Sequence, residues 1–126
     1  MHKPTLLIVE DDAWLAMDAA TQAETAGYAV ILAQSVAEAQ RILLLEDVDG
    51  AILDFNLPDG VVTPVAHALR AAGLPFFLVS GASLEAIEQT GLDNPPLLNK
   101  PVDYLKAMAL LMRDSEAPAR QSRMAG

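Results

Sequence analysis

The sequence predicts an α/β domain built on a doubly wound, five-stranded parallel sheet, and three observations carry that expectation. Apolar runs of strand length, such as residues 5–9 and 76–79, show no polar alternation and so read as strands buried on both faces. Stretches with helical spacing lie between them, joined by short connections. Each of four apolar runs also stops at a residue that carries chemistry: Glu10 and Asp11, Asp54, Ser80, and Lys100. An open parallel sheet binds ligands outside the carboxyl ends of its strands, so residues far apart in sequence fall in one crevice.

Thr5-Leu6-Leu7-Ile8-Val9 forms the first strand and ends at Glu10-Asp11-Asp12. The first helix runs from about Ala13 to Ala26 and stops near Gly27, which supplies a C-cap, with Asp12 as an acid of its first turn. Tyr28 to Ala33 is the second strand. Ser35-Val36-Ala37-Glu38 is a capping box that opens a second helix reaching about Leu45, and Asp47-Val48-Asp49-Gly50 returns the chain to the third strand. A Pro58-Asp59-Gly60 turn follows it.

The third helix has Thr63 as its expected N-cap, Pro64 at the first position, an apolar stripe of Val65, Leu69 and Ala72, and an end at Gly73. Phe76 to Ser80 is the fourth strand. Ser83 caps a short fourth helix, with Leu84 and Ile87 facing inward and an end by Gly91. Leu97-Leu98-Asn99 leads to Lys100 as the fifth strand. Asp103 to Arg113 forms a fifth helix in which Leu105, Met108, Ala109 and Met112 keep the helical spacing, the two Met residues as core packing. Residues 1–114 are expected to be the domain and residues 115–126, polar and containing Pro and Arg, a flexible tail. Right-handed crossovers between parallel strands complete the architecture.

Taken singly, each of these strand-end residues has an ordinary explanation. The acids at 10–12 suit a helix start as well as a hard cation such as Mg2+, which offsets their repulsion while keeping several waters. Asp54 could open a turn, or act as a nucleophile that carries a phosphoryl group as a mixed anhydride. Ser80 reads as a cap or turn residue by itself, and Lys100 as a solvated cation or one suited to a phosphate oxygen. Four strand ends with complementary chemistry in one crevice favour the phosphoryl reading.

This ordered set of acid pair, acceptor Asp, hydroxyl and Lys-Pro resembles a response-regulator receiver domain of bacterial two-component signalling, over roughly residues 4–113. The resemblance implies a flavodoxin-like (βα)5 fold with strand order 2-1-3-4-5. It makes Asp54 the phosphoacceptor, Glu10 and Asp11 the acid pair, and Asp11 the direct metal ligand with Glu10 acting through water. Asn56 corresponds to the residue whose backbone carbonyl binds Mg2+, Ser80 to the hydroxyl that follows the phosphoryl group, and Lys100 to the family's cation. The Lys100-Pro101 bond corresponds to one that is typically cis.

Two features bear on output. Leu97 stands where receivers often carry an aromatic switch, so the expected signal path is Ser80 moving toward the phosphoryl group and shifting residues 81–95, with partners on the face of helix four, strand five and helix five. Pro75-Phe76-Phe77-Leu78-Val79-Ser80-Gly81 also resembles the Pro-Phe-x-Phe-Ala-Thr-Gly segment of a stand-alone receiver subgroup, with Val79 and Ser80 in place of Ala and Thr.

The implied function is a phosphoryl-accepting signalling domain that takes its group from a histidine kinase or histidine phosphotransfer protein and acts on a downstream protein target. It is not an enzyme in that reading, because the product is the modified protein itself. The alternative within the same fold is a phosphate sink or a phosphorylation-insensitive interaction module. A haloacid-dehalogenase-type phosphatase would need a second Asp two positions after the nucleophile, where Asn56 stands. A flavodoxin would need a hydroxyl- and glycine-rich loop where Glu10-Asp11-Asp12 stands.

Composition is consistent with this reading. The 126 residues are 52% hydrophobic, long enough for one buried core and short for a receiver plus a conventional output domain. A net charge of −9 repels phosphate backbones and argues against direct nucleic-acid binding. The absence of cysteine excludes disulfides and thiolate metal sites, and His2 and His67 lack metal-ligand spacing. No run has the length of a membrane span, and Met1-His2-Lys3-Pro4 enters a strand without a signal-peptide pattern, so no membrane insertion and a cytoplasmic location are expected.

Overall fold

A computed structural model describes residues 3–80, 91, 97–99 and 106–111. Its main sheet contains β1 (Thr5–Val9), β2 (Ala29–Ala33), β3 (Gly50–Asp54), β6 (Phe76–Ser80) and β7 (Leu97–Asn99). All four pairings are parallel, in the order β2-β1-β3-β6-β7. Counting only these five strands in chain order, that is the expected 2-1-3-4-5. Three helices, α1 (Ala13–Thr25), α2 (Val36–Leu45) and α3 (Thr63–Ala71), connect them, and residues 106–111 are helical. Two short strands absent from the sequence reading, β4 (Asn56–Leu57) and β5 (Gly60–Val61), form an antiparallel hairpin after β3.

The unbroken apolar runs are explained by the two sides of the sheet. Leu7, Val9, Ala51, Leu53 and Leu78 pack toward one side with α2 and α3 residues such as Ala39, Val65 and Leu69. Leu6, Ile8, Ile52 and Val79 pack on the other with Ala19 and Ala23 of α1 and with Ala107, Met108 and Leu111. Successive strand side chains point to opposite faces, so a strand covered on both sides has no position for a polar residue. Burying each Leu or Ile contributes about 1.5–3 kcal/mol. The buried positions of α1 are all alanine, Ala16, Ala19 and Ala23, whereas Trp14 and Met17 face outward.

The helix ends depart from expectation in informative ways. Asp12 is the N-cap of α1 and not a first-turn acid: its Oδ1 accepts from the N–H groups of Trp14 at 2.9 Å and Leu15 at 3.1 Å. Gly27, at φ 98°, takes the left-handed conformation that lets the chain leave α1 for β2. Ser35 caps α2 as expected, accepting from the Glu38 N–H at 3.1 Å.

For α3 the expected cap is wrong. Helix geometry already includes Thr63, and Val62 stands at the N-cap with no side-chain hydrogen bond. Val62 is fixed by the hairpin instead: it is fully buried, its N–H donates to the Phe55 carbonyl at 2.9 Å, and its own carbonyl accepts from Val65 and Ala66. The Thr63 Oγ1 is consequently buried without a hydrogen-bond partner. Ala72 is likewise exposed and caps the end of α3, and Ala66 takes its place in the stripe beside Val65 and Leu69. In the segment 106–111, Met108 is buried as expected, but Ala109 is exposed and Ala107 and Leu111 complete the buried face. The expected helix from Ser83 with Leu84 and Ile87, the positions of Leu105 and Met112, and the tail 115–126 lie outside the described residues.

Asp59 has the least expected role. From the β4–β5 turn its two carboxylate oxygens accept the N–H groups of Val36 at 2.9 Å and Ala37 at 3.1 Å, so a residue after β3 clamps the amides opening α2. Those bonds, Val36 first and Ala37 second, hold the Asp59 carboxyl below its ordinary pKa. A carboxyl depressed in the folded state contributes stability that is fully present above its unfolded pKa of about 3.9 and is lost as pH falls through the folded value. The stability advantage of the native protein over Asp59→Ala, measured by urea unfolding, is therefore expected to be constant near neutrality and to shrink below about pH 4. An advantage that does not vary with pH would assign it to something other than the ionised carboxylate.

Candidate functional site

The strand ends assemble the candidate site through register alone. Val9 of β1 pairs with Ala33 of β2 and Leu53 of β3, Asp54 pairs with Val79 of β6, and Ser80 with Asn99 of β7. Glu10 follows Val9 at the same edge, where its N–H donates to the Ala33 carbonyl at 2.9 Å. The strand order reverses between β1 and β3, since the chain runs outward to β2 on one side and to β6 and β7 on the other. Glu10, Asp11 and Asp54 stand at that switch point, the place in such sheets where the connections diverge and leave a crevice.

Carboxylate oxygens of Glu10, Asp11 and Asp54, one from each residue, all lie within 4.8 Å of one another. Glu10 and Asp54 are buried, at 3% and 7% exposure, whereas Asp11 is exposed and opens the cluster to solvent. Glu10 is also held from behind, its Oε2 accepting the Asp12 N–H at 3.2 Å. Two full charges at such a separation repel by about 3 kcal/mol at an effective dielectric near 20. A hard divalent cation relieves that repulsion, and a donor set made only of oxygens, with one side open for water, suits Mg2+.

Asn56, exposed on β4, follows Asp54 by two residues. The bend between them is fixed by the Phe55 N–H donating to the Val79 carbonyl at 3.0 Å. Ser80 ends β6 with 4% exposure, one residue beyond the partner of Asp54. Lys100 and the Lys100-Pro101 bond lie outside the described residues, although Asn99 immediately before Lys100 is in register with Ser80. Leu97, the residue in place of an aromatic switch, packs against the core on the α2 and α3 side of the sheet.

The sequence reading missed Asp59, which it took as a turn residue only. The signal was present, because an acid in a tight turn commonly accepts backbone N–H groups, but its acceptance of amides 22 and 23 residues upstream depends on the hairpin.

Comparison with solved structures places this fold among response-regulator receiver domains. A CheY-like response regulator receiver domain protein from Methanospirillum hungatei JF-1 superposes with a TM-score of 0.80 at 27% identity, over 95% of this chain and 99% of that one. The CheY-like receiver domain of a response regulator from Methylobacillus flagellatus gives 0.71 at 26% identity, over 91% and 100%. A response regulator receiver protein from Sinorhizobium medicae WSM419 gives 0.81 at 22% identity, over 92% and 97%, a likeness of fold. No protein-family model and no curated protein matches the sequence. Over nearly its whole length the chain is similar to CheY-like response-regulator receiver domains, and it shares their fold. Among the described residues no helix is long and apolar enough to cross a membrane.

Proposed function

We propose that the domain accepts a phosphoryl group on Asp54 from a histidine kinase or a histidine phosphotransfer protein and passes the signal through protein contacts in the cytoplasm. The observation that carries this reading is the convergence of Glu10, Asp11 and Asp54 at the switch point, with the buried Ser80 on the next strand. An Asp54 carboxylate oxygen attacks the phosphorus of the phosphohistidine; an O–P bond forms, the P–N bond breaks, and the imidazole nitrogen keeps the bonding electron pair. Glu10, Asp11, Asp54 and the Asn56 backbone carbonyl are the groups that would hold Mg2+, which when bound supplies positive charge to the phosphoryl oxygens. Ser80 and Lys100 complete the set, Ser80 as a hydroxyl donor to a phosphoryl oxygen and Lys100 as a cation. The domain assists its own modification and is not a turnover catalyst.

The Leu97 side chain favours a second reading of the output. Leucine has no ring to swing between exposed and buried states, and here it belongs to the core packing. A receiver without that switch could act as a phosphate sink or as an interaction module indifferent to phosphorylation. Phosphotransfer profiling against the histidine kinases of the source organism tests the proposal, and transfer from none of them would refute it. Partner affinity measured with Asp54 free and phosphorylated then separates the readings: a change of at least about tenfold marks a switch, and equal affinity marks the sink or module.

A further inference from the structure

The edge of the sheet opposite the acid cluster carries a feature that phosphoryl chemistry leaves unused. Between the end of α2 and α3 lies a groove of about 730 Å³, lined by the buried Val48 and Leu69, the half-buried Leu43 and Leu74, and the exposed Leu44, Glu46 and Asp47. Leu44, which lines the groove, is 86% exposed, and Leu45 beside it on α2 is 74% exposed, so apolar surface continues from the groove onto the helix end. Residues 46–48 precede β3 and Leu74 precedes β6, so the groove faces the amino ends of the strands, away from Asp54.

We propose that this groove is a second docking site, which takes an amphipathic helix of a partner protein bearing Lys or Arg beside its apolar stripe. Charge selects the occupant. Among the described residues two acids border the groove and no basic residue lines it, and the chain carries a net charge of −9. A second copy of this chain is the poorer occupant, because a two-fold interface sets the same patch against itself and would oppose Glu46 and Asp47 to their own copies. A helix with apolar side chains at i, i+3, i+4 and i+7 places them along such a groove, and flanking cations meet the acids at its rim. The site lies at the far edge from Asp54, so docking leaves the phosphoacceptor accessible and does not depend on its chemistry.

The probe is a synthetic helical peptide of Leu and Lys at that spacing, paired with one in which Glu replaces every Lys. The full-length protein should bind the Lys peptide at least about tenfold more tightly than the Glu peptide, with amide NMR shifts concentrated at residues 40–48 and 68–74. Leu44→Arg, at an exposed position that leaves the core intact, should weaken binding at least about tenfold, while Asp54→Asn should leave it unchanged. Shifts centred on α1 around Trp14, equal binding of the Glu peptide, or insensitivity to Leu44→Arg would overturn the proposal. So would concentration-dependent dimerisation abolished by Leu44→Arg, which would assign the groove to a second copy. Loss of phosphoryl acceptance leaves these expectations standing, so the two readings fail separately.

Discussion

Incubated with Mg2+ and a small acyl phosphate, the protein is expected to gain one phosphoryl group, seen by intact-mass spectrometry, and Asp54→Asn to gain none. The effect is all or nothing because the chemistry needs an anionic oxygen to form the anhydride, and an amide at position 54 offers a far poorer nucleophile in the same place. Burial makes Asp54 selective: it is 7% exposed at the switch-point edge, whereas among the described residues most of the other carboxylates are exposed and outside the acid cluster. Asp11→Asn removes the exposed carboxylate of the cluster and leaves Asp54 in place, so under the proposed roles labelling should persist at the same residue but slow by about a hundredfold, the usual scale for losing one group that stabilises transferring charge. Labelling that survives in Asp54→Asn would remove the assignment of the acceptor; labelling of Asp11→Asn at the native rate would remove Asp11 from the metal set.

Much of this site was legible because the information is one-dimensional. A strand buried on both faces writes itself as an unbroken apolar run, and the residue that ends the run is delivered to the carboxyl edge whatever the helices do. Glu10, Asp54 and Ser80 are placed by that rule, and the structure sets all three at one edge of the sheet. What was not legible depends on pairings between segments that carry no periodic signal. The β4–β5 hairpin has two residues in each strand, too few to show alternation, yet it buries Val62 as the N-cap so that α3 begins at Thr63, and it aims Asp59 at the first amides of α2. Ala72 and Ala109 were placed inward by helical spacing alone and face outward in the structure. Alanine is small enough to sit on either side of a helix, so periodicity constrains it weakly.

Leu53→Ala is expected to be the most damaging single change outside the site, lowering stability by about 2–5 kcal/mol in chemical unfolding. Leu53 is fully buried in the third strand, the middle of five, with β1 on one side and β6 on the other. Its side chain belongs to the core shared with Val65 and Leu69 of α3. Both neighbouring strands are hydrogen-bonded in fixed register to β3, so the backbone cannot collapse into the space left by the lost methyl groups, and the cavity adds to the lost transfer free energy. A domain of this size has only about 5–15 kcal/mol in total, so the change consumes a large share of it. Function should fail along with stability, because Leu53 immediately precedes Asp54 and packing at this position fixes where the strand end points. Leu44→Ala supplies the contrast: the same atoms removed from a side chain 86% exposed should change stability by no more than about 0.5 kcal/mol. If the two variants unfold at similar denaturant concentrations, burial in the central strand is not what holds the carboxyl edge of the sheet in place.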